Sequence, residues 1–335
     1  MIGRADEYLV HQTELPLARV VSDNTEWQDR FYFNIHDMEG KFAAMAGLGA
    51  FPNRKGGPHG IVQAYFLTVQ GGRHTAYFNV RPIDSDRDQM RAGSLSFEVV
   101  EPLQAWKLDI ADEANGVSGS LVFRARCPLY AFSPIRWQDG ERPVVDQMHY
   151  TQAGRYEGSF TIGGETYSGL VGMRDRSWGL RDMPRVPVWY WIAAQFKEFC
   201  ISAWLWETTD GEVIHCDGAI VPEEGEALPI TQIEHEIELH DGQKLPKGAQ
   251  FALTAADGQR LSLTASEIGS IYLGPPLPAW ADSDAAARAA AEKAAFGYDQ
   301  HAQFEMNGET GYGIVEYMFT GGSKRYGIPG TYFGG

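Results

Sequence analysis

The chain is punctuated too often for a helical protein. Segments of seven to nine residues alternate apolar and polar side chains: IVQAYFLTV (61–69), TAYFNVR (75–81), SLSFEVV (94–100) and GSLVFRAR (119–126). Successive side chains of a strand point to opposite faces, so a period of two marks a segment that buries one of them. Gly- and Asp-bearing clusters such as QGGRH and DEANG separate the segments as turns. The second half repeats the style. QIEHEIELH (232–240) puts Ile233, His235, Ile237 and Leu239 on one face and glutamates on the other. WYWIAAQF (189–196) and FCISAWLWE (199–207) are separated only by Lys197 and Glu198, a spacing that suits a tight hairpin. One segment breaks the pattern, DSDAAARAAAEKAAFG (282–297), which reads as a helix. Asp282 or Ser283 can cap its start, Asp284/Arg288 and Arg288/Glu292 stand at i,i+4, and Gly297 sits where a helix ends. Short strands at regular spacing argue antiparallel barrels or sandwiches, not a parallel α/β sheet.

A chain of 335 residues suffices for one large or two ordinary domains. The polar stretch RWQDGERPVVDQ carries a turn and a proline, and places a boundary near 150, giving domains 1–150 and 151–335. Lys and Arg number 28 against 44 Asp and Glu, a net charge of −16, which disfavours nucleic acid and anionic membranes. Cys127, Cys200 and Cys216 form no CxxC pair, so neither a disulfide framework nor a zinc ribbon is indicated. The opening twenty residues lack the apolar core of a signal peptide, and no run approaches a membrane span. These features lead us to expect a soluble cytoplasmic protein without membrane insertion.

The densest chemistry lies in MRDRSWGLRD (173–182), flanked on both sides by strand-like sequence. Read as a strand, Arg174, Arg176 and Trp178 share one face, and Met173, Asp175, Ser177 and Gly179 the other. Charges on both faces require that at least one points inward, and a buried charge must be paired. Asp175 with an inward or cross-strand arginine is a natural pair, since guanidinium grips carboxylate with two hydrogen bonds. Two readings stand: a structural ion-pair network that fixes sheet register, or an acid and an electrophilic clamp lining a pocket. In the second, burial raises the pKa of Asp175 until it can deliver a proton. Trp189, Tyr190, Trp191, Trp204 and Trp206 follow within a short span and offer either ordinary core packing or an aromatic wall.

His215, Cys216 and Asp217 are consecutive, and neighbours on a strand cannot converge on one ion, so no metal site is expected. His235 reads as a satisfied core histidine. His149, with Tyr150, is placed to face a cavity at the domain junction. Glu316, in GYGIVEY (311–317), is either a partner for an arginine of the charged stretch or a second carboxylate for proton work. No GxSxG, HExxH or strand-borne GxGxxG is present, which removes support for hydrolase, zinc-protease and nicotinamide chemistry.

RDRSWGLRD with its lead-in YEGSFTIGGETYSGLVG resembles the R-D-x-S-W-G-x-R signature of the carotenoid 1,2-hydratase and AttH-like group. GYGIVEY is similar to the group's late Gly-x-Gly-x-x-Glu strand, and WKLDI followed by GVSGSLVFRAR to its first-half hairpin. The resemblance implies two lipocalin-like antiparallel β-barrel or β-sandwich domains in tandem, an apolar cavity and no cofactor. It implies a hydratase or dehydratase acting on a small apolar terpenoid-like or steroid-like molecule. A non-catalytic carrier and a cofactor-free isomerase or cyclase are the alternatives. On this reading Asp175 is the acid, with Glu316, Asp182, Asp217 or a tyrosine in reserve. Arg174 or Arg181 tunes it, and Trp178, Tyr190, Trp191, Trp204, Trp206 and His149 contact the ligand.

Overall fold

The computed structural model describes residues 2–9, 22–83 and 89–330. The N-terminal run read for a signal segment lies largely outside them. Regular structure is overwhelmingly antiparallel strand, as the alternation requires. The chain forms two compact units. The first holds Met1–Ile35, Met45–Leu67 and Ala76–Asp182; the second holds His36–Ala44, Thr68–Thr75 and Met183–Gly335. The division thus follows Asp182, not residue 150. The stretch that suggests a linker is a hairpin turn: Asp139 pairs with Arg142, and strand Arg142–Ile162 continues straight through the expected boundary. Pro143 sits at the start of that strand, where a missing backbone N–H is tolerated.

In the first unit the charged stretch is one strand, Val171–Arg181, hereafter the motif strand. It lies between Trp27–His36 and Arg142–Ile162 in a sheet that continues through Val117–Ala125, Ala105–Asp112 and Leu95–Glu101. The last two pairings include the hairpin expected from WKLDI and GSLVFRAR. An aromatic core holds the unit together. Phe33 stacks on Phe97, with ring centroids 5.8 Å apart, and meets Trp106 and Phe123 edge-on at 5.6 and 5.9 Å.

The second unit is a closed barrel of eight antiparallel strands. They are Val188–Gln195, Phe199–Glu207, Val213–Pro222, Leu228–Leu239, Pro246–Ala255, Arg260–Leu273, Gly297–Met306 and Glu309–Met318. The first pairs with the last, so no edge is left to template aggregation. Ile192, Leu205, Phe251, Leu263, Phe304 and Val315 fill the interior. The 199–207 and 189–196 segments form the expected hairpin, with Gln195 opposite Cys200.

The helix is shorter than its sequence suggests, Ala285–Ala294. Its cap is Asp284, which accepts from Ala287 N at 3.1 Å, because Trp280–Ala281 is already committed to a strand pairing upstream. Ala295 ends it in extended conformation, and Gly297 opens the next strand instead of closing the helix. Arg288 and Glu292 make the expected i,i+4 pair at 3.2 Å. Among the described residues no helix is long and apolar enough to cross a membrane.

Candidate functional site

The motif strand runs antiparallel to Arg142–Ile162, with Gln152 opposite Arg174, Thr151 opposite Asp175, Tyr150 opposite Arg176 and His149 opposite Ser177. This register sorts the charges onto two faces with different chemistry.

The arginine face points into the aromatic core. Arg174 is fully buried and donates from Nη1 to Glu7 Oε1 at 2.9 Å and from Nη2 to Gln152 Oε1 at 2.7 Å. Its guanidinium lies 5.7–5.8 Å from the ring centroids of Trp106, Phe123 and Tyr150. Glu7 also accepts from Tyr150 Oη and Trp106 Nε1, each at 2.5 Å. Burial alone would raise the Glu7 carboxyl, but Arg174, Tyr150 and Trp106 outweigh it and hold it below the ordinary range. Arg176 donates to Asp29 Oδ1 at 2.6 Å and to the carbonyls of Asp6, Tyr8 and Arg30. Both guanidiniums are thus spent on tying the 4–8 segment and the strand Trp27–His36 to the motif strand. Trp178 lies on this side, edge-on to Tyr150 at 6.3 Å.

The opposite face carries Asp175 and Ser177. His149 Nε2 is 3.4 Å from Asp175 Oδ2, and the two side chains are 6% and 8% exposed. The imidazole stacks on Phe132 at 4.8 Å between centroids, with 7° between planes, which fixes its orientation. Arg30 Nε donates to Ser177 Oγ at 3.1 Å. Asp175 Oδ1 is buried with no hydrogen-bond partner among the described residues. Burial raises the Asp175 carboxyl, but His149, Arg30 and Arg181 together bring it below its ordinary value. Here the structure corrects the sequence reading. Asp175 is not kept protonated by an apolar cavity, and its closest partner is a histidine, not an arginine. Arg30 and Arg181 favour its carboxylate form by charge. Arg181 is buried at the end of the motif strand and acts on Asp175 through its charge. Asp182 pairs with Arg142 at 2.9 Å.

The remaining expected residues lie in the second unit. Tyr190 faces the barrel interior, its ring 4.5 Å from that of His235, and burial raises its hydroxyl pKa strongly. Trp189, Trp191, Trp204 and Trp206 are absent from that interior, since they hold the alternate strand positions. They do not wall a barrel cavity. Trp189 and Trp206 stack at 4.8 Å, Trp204 meets Trp206 edge-on at 5.0 Å, and Trp191 Nε1 donates to Ser202 Oγ at 3.3 Å. Glu316 accepts from Trp189 Nε1. The glycines of GYGIVEY have a steric reason: a Cβ on Gly313 would stand 2.1 Å from Ala193 O of the adjoining strand. His215, Cys216 and Asp217 alternate faces as expected; Cys216 packs on the core, and burial pushes its thiol up to about 11. His235 is satisfied, by Tyr326 Oη at 2.8 Å and Glu207 Oε2 at 3.1 Å.

Sequence reasoning did not single out Glu7, Asp29, Arg30, Gln152 or Phe132. Asp29 and Arg30 left a signal, two adjacent charges near the start of a strand rich in aromatics, WQDRFYFNIH. Glu7 left none, because an acid beside Asp6 in a short polar segment looks like any exposed one.

A sheet-built unit and a closed eight-stranded barrel in one chain define a tandem lipocalin-like β protein. The chain belongs to the family of unknown function DUF8625, whose model matches residues 2–268. No curated protein matches the sequence. Among solved structures it is similar to an AttH-like protein from Nitrosomonas europaea, with TM-score 0.61, 14% identity, and coverage of 92% of this chain and 97% of that one. Kievitone hydratase from Nectria haematococca is similar with TM-score 0.60, 13% identity, and coverage of 93% and 97%. So is CghA with Sch210972, with TM-score 0.59, 13% identity, and coverage of 94% and 97%. At these identities the likeness is one of fold.

Proposed function

We propose that the protein is a cofactor-independent hydratase or dehydratase for a small apolar molecule of terpenoid-like or steroid-like character, with His149 and Asp175 as its proton-transfer pair. The observation that carries this reading is the buried histidine–carboxylate pair on the face of the motif strand that the structural arginines do not use. An imidazolium at His149 can protonate a departing hydroxyl, which leaves as water and yields a carbocation. The Asp175 carboxylate can then take the proton lost from the neighbouring carbon as the double bond forms. Hydration is the reverse: the carboxyl of Asp175 protonates the alkene, and His149 takes the proton from the attacking water. The pair returns to its starting state only after proton exchange with solvent. On this assignment Asp175 rests as a base, which agrees with the direction of its pKa. Arg181 positions it by charge, while Arg174 is structural. Phe132, stacked on His149, is an apolar surface suited to such a ligand. The kievitone hydratase neighbour is named for this reaction type, which supports the reading further.

The test is incubation with a panel of isoprenoid alkenes and their tertiary alcohols in heavy-oxygen water, read by mass spectrometry. Label in recovered alcohol, lost in Asp175→Asn and His149→Gln while both variants stay folded, is the expected result. A ligand retained by the protein without label in either direction would replace the lyase with a carrier. Solvent deuterium entering product carbon without gain of water would replace it with an isomerase.

A further inference from the structure

The second unit contains a cavity of about 190 Å³ at one end of the barrel. Nothing in the proton-transfer chemistry above uses it. Its wall is built from four separate places in the sequence: His74, His240, the bulged turn of Arg260–Leu273 with Glu267, Ser270 and Tyr272, and Asp282 with Arg288 of the helix region. Every charged group in this wall already has a polar partner. His240 Nε2 contacts Glu267 Oε2 at 2.5 Å, and Ser270 Oγ donates to Glu267 Oε1 at 2.7 Å. His74 Nε2 is 3.0 Å from Asp282 Oδ1. Arg288 is met by Glu292 at 3.2 Å. What the wall offers is a dense alternation of donors and acceptors, because each carboxylate oxygen keeps a further lone pair and the guanidinium keeps further N–H groups.

Beside the polar groups stands an aromatic bank. His74 stacks on Trp280 with centroids 3.8 Å apart, and Tyr272 meets both edge-on at 5.3 and 5.2 Å. Burial pushes the Tyr272 hydroxyl up to about 12, so it stays a donor through the physiological range. Behind Tyr272, Tyr298 and Tyr317 follow directly opposite on the next two strands, and Gln300 stands opposite Ser270. Tyr298 Oη, Tyr317 Oη and Gln300 Oε1 are fully buried with no hydrogen-bond partner among the described residues. None of the three lines the cavity; they lie in the barrel behind it. A cavity whose charged groups are each hydrogen-bonded, whose wall mixes donors with acceptors, and which adjoins aromatic rings is suited to a ligand with many hydroxyls and no charge. Its size limits that ligand, since cavities for drug-sized molecules run from about 300 to 1,000 Å³.

We propose that this cavity is a second binding site, for a small neutral polyhydroxylated molecule of the size of a single sugar ring. The hydroxyls bridge Glu267, Ser270 and Arg288, and a C–H face packs on the aromatic bank.

Saturation-transfer NMR tests it with glucose, galactose and mannose as separate probes and sodium acetate as the ionic probe. Transfer to ring protons of at least one sugar is expected with the intact chain. Glu267→Gln weakens that binding by roughly tenfold or more, as loss of a charge-assisted hydrogen bond should. Ile268→Trp serves as the second variant: Ile268 lines the cavity but is 38% exposed, so the indole can block the space without disturbing the core. It abolishes the signal while the unfolding temperature stays unchanged. The His149→Gln variant, altered only in the first unit, binds sugar as the parent does. Binding of acetate in preference to all three sugars, no transfer from any sugar, or a sugar signal that survives Ile268→Trp would each overturn the proposal.

Discussion

Glu7→Gln tests the claim that the arginine face of the motif strand is structural. Glu7 receives three donors, the Arg174 guanidinium at 2.9 Å and the Tyr150 hydroxyl and Trp106 indole at 2.5 Å. Glutamine preserves the shape, but its NH2 must face one of these donors, and Arg174, with no exposure at all, loses its counter-charge. Breaking a buried pair from one side costs about 3–5 kcal/mol. For a unit of this size that is a fall in Tm of roughly 6–20 °C. Calorimetry and urea unfolding read the loss directly, and Arg174→Met completes a double-mutant cycle. With both charges gone no buried charge is left unanswered, so the double variant should be more stable than the sum of the two losses predicts, by about 2 kcal/mol or more. The acid limb gives an independent check. The folded Glu7 carboxyl sits below its ordinary value of 4.5, so its contribution is present above that pH and is lost as pH falls toward the folded value. The glutamine variant should show a shallower loss over this range. A fall in Tm below about 2 °C, or strict additivity in the cycle, would refute the structural assignment of Arg174.

Other perturbations probe separate parts of the argument. Gly172→Ala should destabilise by about 3 kcal/mol, measured by urea unfolding, because the new Cβ would stand 1.9 Å from Asn34 O in the adjoining strand. Burial and the nearby His36 lower the pKa of His301 from 6.5 to about 3. The folded state therefore resists protonation that the unfolded chain accepts, and stability is lost as pH falls from 6.5 toward 3; His301→Gln should flatten that limb in a series of melts. Asp284→Ala removes the observed helix cap and should cost about 1 kcal/mol, whereas Asp282→Ala should leave helix content by circular dichroism unchanged.

The strands were legible because alternation is a local signal. Ile61–Gln70, Leu95–Glu101 and Leu228–Leu239 lie within two to four residues of where the pattern alone puts them. The parity argument also holds across the motif strand, with Arg174 and Arg176 on one face and Asp175 and Ser177 on the other. What alternation cannot carry is distance along the chain. Glu7 meets Arg174 across 167 residues, and Asp29 meets Arg176 across 147. The unit boundary was obscured for a related reason: a polar hairpin turn and a linker have the same composition, and only the pairing of Asp139 with Arg142 separates them.

The misjudged ionisation of Asp175 has consequences for the chemistry. Sequence shows that a carboxylate in an apolar strand will be buried, and burial by itself argues for an acid. The sign of the net shift depends on which groups fold around it, and here His149, Arg30 and Arg181 come from three different strands. With a carboxylate at rest, the proton for a departing hydroxyl must sit on the imidazole. A hydratase of this design should therefore lose turnover as pH falls far enough to protonate Asp175, whose carboxyl lies below its ordinary value. An acid limb that moves to higher pH in Arg30→Gln, where one of the charges that lower Asp175 is gone, would fit this division of labour. A profile governed by a single raised carboxyl would return the acid role to Asp175.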